Sequence, residues 1–455
     1  MAPNKKGKSR RKGLFIAEMV ILAVLTVALI GAIWVTHKLS LVNYDTNFDR
    51  SQVKTSTEYN NQSTTTTSTT ETADAQVAVT ETPEDTSTQT AAQVGSQTQL
   101  SGIQTIALVG LDTRETEDDY EGLANSDTMI ICVINHNERT IKLASVYRDT
   151  YLNVYWDGED YYDKANSAYA LGGAEEFLTM LNLNLDLDIT QYATVEFKAL
   201  QVTIDLLGGL DVELTQQEIV HLNNYNIETA AACGVEYVEI PVPSDDELYG
   251  AQTATYHLNG SQAVSYARIR YTDGYDFRRA SRQRVILQLI KEKAASADVF
   301  TINNLLNQVL PLVTTNLDSS EIMSMAIPVL SYTLTSDDQT GFPSVHVEDS
   351  GGEITGSDCV IPVTLAYNVQ VLHEFLYPGY EYYPSDTVLA TSEYIASTTG
   401  YGDDQIAAAA SVYDNSDIPA YTDLKDLYTS LGYGDDTSSS DESGYYDEDG
   451  NYISY

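Results

Sequence analysis

The chain of 455 residues carries 66 acidic and 24 basic side chains, a net charge of −42. That length can hold one large domain or two ordinary ones, and the charge excludes a nucleic-acid binder, which needs a basic face against phosphate. Three widely spaced cysteines (Cys132, Cys233, Cys359) match no zinc pattern, six scattered histidines form no HExxH, and nothing in the spacing decides whether Cys233 and Cys359 pair.

The first 13 residues form a basic tail, with six Lys and Arg by Lys12. The apolar run from Leu14 to Val35 follows. It is long enough to cross a bilayer as a helix, which takes about 20 residues. Glu18 sits near the basic end, within reach of the interface. The run exceeds a signal-peptide core and no A-x-A site follows it, so a retained single-pass anchor is expected rather than a cleaved signal. Positive-inside logic puts the N-terminus in the cytoplasm, anchors the protein in the cell membrane and leaves everything after His37 extracellular. Residues 36–102, with stretches such as "STTTTSTTET", lack the large apolar side chains of a core and read as an extracellular spacer. Residues 386–455 read as an acidic, Tyr-rich tail.

Between about 103 and 385 strands alternate with helices. "TIALVGLD" and "TMIICVIN" are dense apolar runs with β-branched content, read as buried strands. "TIKLASVYRD" is a third strand and "QYATVEF" a fourth. "GAEEFLTMLN" and "KALQVTIDLLGG" read as helices, the second closed by a glycine pair. A helix starts near Gly260, and "RRASRQRVILQLIKEKA" is a longer one. The fold class is α/β, with a mixed central sheet flanked by helices. The first strand ends at Asp112, and a polar loop leads to Asp127, where the second begins. "HNER" is short enough for a hairpin turn to the third, which ends at Arg148 and Asp149. If the first pair is antiparallel too, Asp112, Arg114, Asp127 and Arg148 share one edge of the sheet.

Residues 266–284 hold six arginines: Arg268, Arg270, Arg278, Arg279, Arg282 and Arg284. Taking about 100° per residue, Leu289, Ile290, Arg279 and Arg282 lie within about 60° of Ile286 on the helix surface. Gln283 borders that face. Arg284, Gln288 and Lys291 fall opposite, so Arg284 is expected to be a solvated charge. Arg279 and Arg282 continue the apolar stripe near the helix's amino end, where the dipole also favours an anion. Buried arginines need partners: carboxylates such as Asp273 and Asp276, or a bound anion. Several converging arginines in so acidic a chain favour phosphate, gripped through paired hydrogen bonds. Asp112 and Asp127 read either as turn and helix caps or, facing arginines, as a Mg²⁺ site completed by water and phosphate oxygens. The 33 tyrosines against 8 phenylalanines suit either sugar stacking or a wet surface.

"ALVGLDTR", "NSDTMIICVIN", "SVYRDTYL", "KANSAYALGG" and "LNGSQAVSYARIRYTDGYDFRRASRQRVI" occur in this order. Together they resemble the LytR-CpsA-Psr family, strongly over 103–295 and more weakly to about 380. The resemblance implies a domain over 103–385 that moves a glycopolymer, of teichoic acid or capsule type, from a polyprenyl-pyrophosphate carrier to peptidoglycan in a Gram-positive envelope, forming a phosphodiester. It implies Mg²⁺ held by Asp112 and Asp127. It also implies pyrophosphate lined by Arg114, Arg148, Lys164, Arg268, Arg270, Arg279, Arg282 and Gln283, with Arg148, Arg268, Arg270, Arg279 and Arg282 acting in catalysis. Arg278 falls off the "RxxRQ" pattern, and the chain departs from the family at Leu111, commonly Ser, and at Tyr147, commonly Pro. Asp149 or Asp276 would accept the hydroxyl proton. An apolar groove for the lipid could be lined by helices such as 199–207, whose stripes also read as plain core. Two other readings use the same arginines: a non-catalytic module binding polyprenyl phosphate or wall polymer, and a hydrolase giving the pyrophosphate to water.

Overall fold

Period-two alternation sends strand side chains to two different cores, one on each face of a central sheet. The computed structural model describes residues 37–61, 101–111, 125–243, 253–270, 272, 275–326 and 328–412, with two short strands at Gly444–Tyr446 and Tyr452–Ser454. The expected membrane segment 14–35, Asp112 and Arg114 lie outside the described residues. Among the described residues, no helix is long and apolar enough to cross a membrane.

In chain order, β1 (Asn43–Tyr44) precedes the meander β2 (Ile103–Leu111), β3 (Ser126–Asn135) and β4 (Thr140–Val146). A hairpin, β5 (Tyr151–Asn153) and β6 (Tyr162–Lys164), leads to α1 (Ser167–Leu185) and β7 (Tyr192–Glu196). Then come α2 (Phe197–Leu206), β8 (Leu210–Leu214), α3 (Gln216–Cys233), β9 (Ala254–Leu258) and α4 (Gly260–Tyr266). The long α5 (Tyr275–Ser296) is followed by α6 (Val299–Val309), β10 (Val313–Thr315), α7 (Ser319–Ala326) and β11 (Gln339–Phe342). The hairpin β12 (His346–Asp349) and β13 (Cys359–Pro362), then α8 (Leu365–Leu376), α9 (Asp386–Thr399) and α10 (Ile406–Val412), complete the order.

The central sheet runs β1-β10-β7-β2-β3-β4-β11 and is mixed. β2–β3 and β3–β4 are antiparallel, while β2–β7 and β4–β11 are parallel. The expected mixed α/β fold class therefore stands for the described residues. Ala107, Val109, Met129, Ile131, Val133, Ala144 and Val146 enter one core with α1, α8 and α9. Ile106, Ile130, Cys132, Ile134, Ile141 and Leu143 enter the other, beneath Leu287 of α5 and Met325 of α7. A third cluster joins α2, α3, α4, β8 and β9 to Ile286 on the far side of α5. Helix α5 is thus buried on two faces, between the sheet and this smaller unit. Ile204 of α2 is packed in that third cluster, as plain core.

Two expected boundaries move. Residues 43–61 belong to the fold instead of to a spacer: β1 pairs with β10, Val53 is 2% exposed, and the Ser56 hydroxyl donates to Asp186 at 2.7 Å. The fold also continues past 385, because α9 buries Val388 and Ile395 in the main core. The Ser385 hydroxyl caps α9 and also donates to Asp186, as does that of Tyr382. The three cysteines are buried and unbridged.

Candidate active site

Antiparallel pairing brings the end of β2 and the start of β3 together, with Leu111 opposite Ser126. The next turn of the meander returns the end of β4 to the same edge, Val146 opposite Met129. Asp127 and Arg148 therefore meet at this edge, as the strand order predicts. Arg148 Nη1 donates to Asp127 Oδ1 at 2.8 Å, and its Nε donates to Asp149 Oδ2 at 3.2 Å. Lys164, at the end of β6, lies 3.4 Å from Asp149 Oδ1. The hairpin thus carries a second cation back to the point where β4 ended.

The arginine segment supplies the opposing wall. Helix α4 stops at Tyr266, so Arg268 and Arg270 follow it in irregular chain. Arg270 Nη2 lies 3.4 Å from Asp127 Oδ2, and Arg279 Nη2 donates to the Asp127 carbonyl oxygen at 3.2 Å. Burial pushes the Asp127 carboxyl upward, but the positive charges of Arg279, Arg148 and Arg270 outweigh it and hold the group below its ordinary 3.8. Gln283 Nε2 reaches the Ala267 carbonyl oxygen at 3.5 Å, bracing α5 against the residue before Arg268.

Two expected site arginines are held elsewhere. Arg282 is 2% exposed; its Nε and Nη2 donate to Glu218 Oε1 at 3.1 and 2.9 Å, its Nη1 to the Ile269 carbonyl oxygen at 3.0 Å, and its Nη2 also to Thr272 Oγ1 at 2.7 Å. Protein groups thus account for the buried charge. Arg282 fixes the start of α5 and the segment around Arg270 to α3, where Glu218 also completes a capping box with Thr215. Arg268 donates to Thr229 Oγ1 at 2.7 Å, lies 3.5 Å from Glu228, and stacks 4.7 Å from the Phe197 ring centre. Asp112 and Arg114 lie outside the described residues, as do the side chains of Asp273 and Asp276.

One expectation is reversed. Arg284 is 2% exposed, not solvated. It does lie opposite Ile286, but that face of α5 packs on the sheet: Phe277 meets the Tyr147 ring edge-on at 4.6 Å, Gln288 accepts from Gln339 at 2.7 Å, and Lys291 donates to the Tyr332 carbonyl oxygen. The sequence reading also missed Glu218 as the partner of Arg282, although "TQQE" at 215–218 carries the spacing of a capping box.

No group of three or more His, Cys, Asp or Glu side chains suited to a metal occurs among the described residues. Asp127 alone contributes a described carboxylate at the expected Mg²⁺ position. It is a hard oxygen donor, but three guanidinium groups surround it. It suits a hard divalent ion that arrives with anionic oxygens of its own.

The family model described as the LytR_cpsA_psr family matches residues 55–354. The chain belongs to this family. Its relatives include a polyisoprenyl-teichoic acid–peptidoglycan teichoic acid transferase, TagU, of Halalkalibacterium halodurans, 31% identical over 214 residues, which are 47% of this chain and 60% of that one. Biofilm regulatory protein A of Streptococcus mutans is 28% identical over 231 residues, 50% of this chain and 52% of that one. The matched stretches thus span little more than half the length of these relatives. Among solved structures, YwtF (TagT) of Bacillus subtilis with bound octaprenyl pyrophosphate lipid is 17% identical, with a TM-score of 0.40, over 68% of this chain and 96% of that one.

Proposed function

We propose that this LytR-CpsA-Psr protein transfers a glycopolymer from a polyprenyl-pyrophosphate carrier to peptidoglycan. The observation that carries the reading is the convergence of Arg148, Arg270 and Arg279 on Asp127 at one edge of the sheet. Pyrophosphate cleavage spreads negative charge over phosphate oxygens, and fixed guanidinium groups in a partly dry site stabilise that charge without reorganising. The names of the transferase relatives agree with this chemistry.

In the proposed reaction a peptidoglycan hydroxyl oxygen attacks the glycan-bearing phosphorus. The new P–O bond forms as the bond to the bridging oxygen breaks, and polyprenyl phosphate leaves with the electron pair. Asp149 is the described candidate to receive the hydroxyl proton, oriented by Arg148 and Lys164. Arg270 and Arg279 grip the phosphates. Arg282, Arg268 and Gln283 hold the segment that presents them. Mg²⁺ bound by Asp127 and Asp112 would neutralise charge on the phosphate oxygens. A membrane anchor at 14–35 would bring the site to a lipid-linked donor outside the cell.

A second reading, a non-catalytic regulator binding the same lipid, is favoured by the name of the Streptococcus mutans relative. Asp127→Ala separates the two. Turnover should vanish if the site is catalytic, whereas a pure anion binder should hold the lipid as well or better without that carboxylate.

A further inference from the structure

Helix α5 carries a buried cation that the proposed reaction leaves unused. Among the described residues, Arg284 Nε and Nη1 have no hydrogen-bond partner. Burial pushes its pKa below the ordinary arginine value, and only Tyr147 acts in the other direction. Arginine does not shed its proton under ordinary conditions, so the charge stays in place. Leaving two donors of a buried charge unmet is unfavourable, which sets Arg284 apart from Arg282, whose donors meet Glu218, Ile269 and Thr272.

A second orphan lies in the same layer. Ser145 is 2% exposed, and its Oγ has no hydrogen-bond partner among the described residues. The alternation of β4 puts Ile141, Leu143, Ser145 and Tyr147 on the face beneath α5. Ser145 is in register with Gly341 of β11. A side chain at Gly341 would run into the Tyr147 hydroxyl, so the Tyr147 ring turns back over the Ser145–Gly341 pair. On the same face of α5, Phe277 packs on Tyr147 and Gln288 bonds Gln339, so Arg284, between them, lies over the Ser145–Gly341 pair. His346 has its ring 6.0 Å from that of Tyr147 and is kept neutral by burial, its pKa pushed down to about 4.

We propose that Arg284, Ser145 and Tyr147 form a buried oxyanion site that takes a phosphate group. A guanidinium fork and two hydroxyls suit a tetrahedral anion with several acceptor oxygens. The site is separate from the Asp127 cluster. Arg284 lies five residues beyond Arg279, about 7.5 Å along α5 and roughly 140° around it. Free phosphate and the phosphate head of a prenyl monophosphate present the same chemistry.

The test measures thermal stability of the full chain in Mg²⁺-free buffer, with inorganic phosphate against chloride of matched ionic strength. The expected result is a phosphate-dependent rise in Tm that survives in Arg279→Ala and is lost in Arg284→Met. Without phosphate, Arg284→Met should melt above the parent, because it removes an uncompensated charge. Ser145→Ala, a milder change, should raise the half-saturating phosphate concentration several-fold. Farnesyl phosphate that competes with inorganic phosphate assigns the site to a prenyl monophosphate; failure to compete assigns it to free phosphate. A phosphate response equal in the parent, Arg284→Met and Ser145→Ala overturns the proposal. A response lost only in Arg279→Ala also overturns it, yet leaves the transferase reading intact.

Discussion

Arg148 bridges two carboxylates at the end of β4, its Nη1 2.8 Å from Asp127 Oδ1 and its Nε 3.2 Å from Asp149 Oδ2. One guanidinium therefore orients both the candidate metal ligand and the candidate base. Arg148→Met should lower kcat/KM by at least about a hundredfold. The same change should cost under about 1 kcal/mol of stability, since the pairs are partly screened by solvent. Steady-state kinetics beside urea unfolding of the same variant checks both halves.

Asp127 makes stability depend on pH in a defined direction. Its folded-state pKa lies below 3.8, so the unfolded chain binds the proton first as pH falls. The stabilisation is fully present above that value and is lost below it. Asp127→Asn should flatten the stability curve below about pH 4 and leave its slope at neutral pH unchanged. Unfolding free energies measured between pH 3 and 7 would reveal this.

His346 titrates in the window above. Burial lowers its pKa from 6.5 to about 4, so the unfolded chain takes up the proton between those values while the folded chain does not. Stability falls as pH drops from 6.5 towards 4, by about 3 kcal/mol for this group at about 1.4 kcal/mol per unit. His373 adds a similar decline. In His346→Phe this contribution should disappear, so stability should fall less between pH 6.5 and 4 than in the parent. A profile identical to the parent's would show that His346 is not buried as described.

Arg282 and Glu218 should behave as a structural pair. Both are about 2% exposed, and breaking a buried pair from one side costs about 3–5 kcal/mol. Glu218→Met should show that loss, and the double variant with Arg282→Met should recover much of it. Arg279→Met, by contrast, should depress turnover with a smaller change in stability. Double-mutant cycles in denaturant read the coupling directly.

The sheet was legible because β2, β3 and β4 are runs of apolar and β-branched residues separated by turn chemistry. Their pairing then placed Asp127 and Arg148 together without further information. The buried arginines at 279 and 282 were legible from helical spacing alone. Arg284 was misread for a physical reason: helical periodicity says which residues oppose one another, not what covers each face. Helix α5 is covered on both. Residues 43–61 read as spacer because β1 is only two residues long and gains its place by pairing with β10, far along the chain. Val388 and Ile395 of α9 have the spacing of an apolar face, yet the acidic, Tyr-rich sequence around them masked it. Glu218 was visible as a cap, but no local pattern connects it to an arginine 64 residues later.

The most direct test of the transferase reading is a transfer assay on the full chain, with a polyprenyl-pyrophosphate-linked glycan, peptidoglycan oligomers and Mg²⁺, beside EDTA and Arg279→Ala controls. The predicted result is a glycan–peptidoglycan phosphodiester that disappears in both controls. Free phosphorylated glycan would contradict the transfer step and point to water as acceptor. Tight lipid binding with no product, across several glycan donors, would contradict catalysis itself.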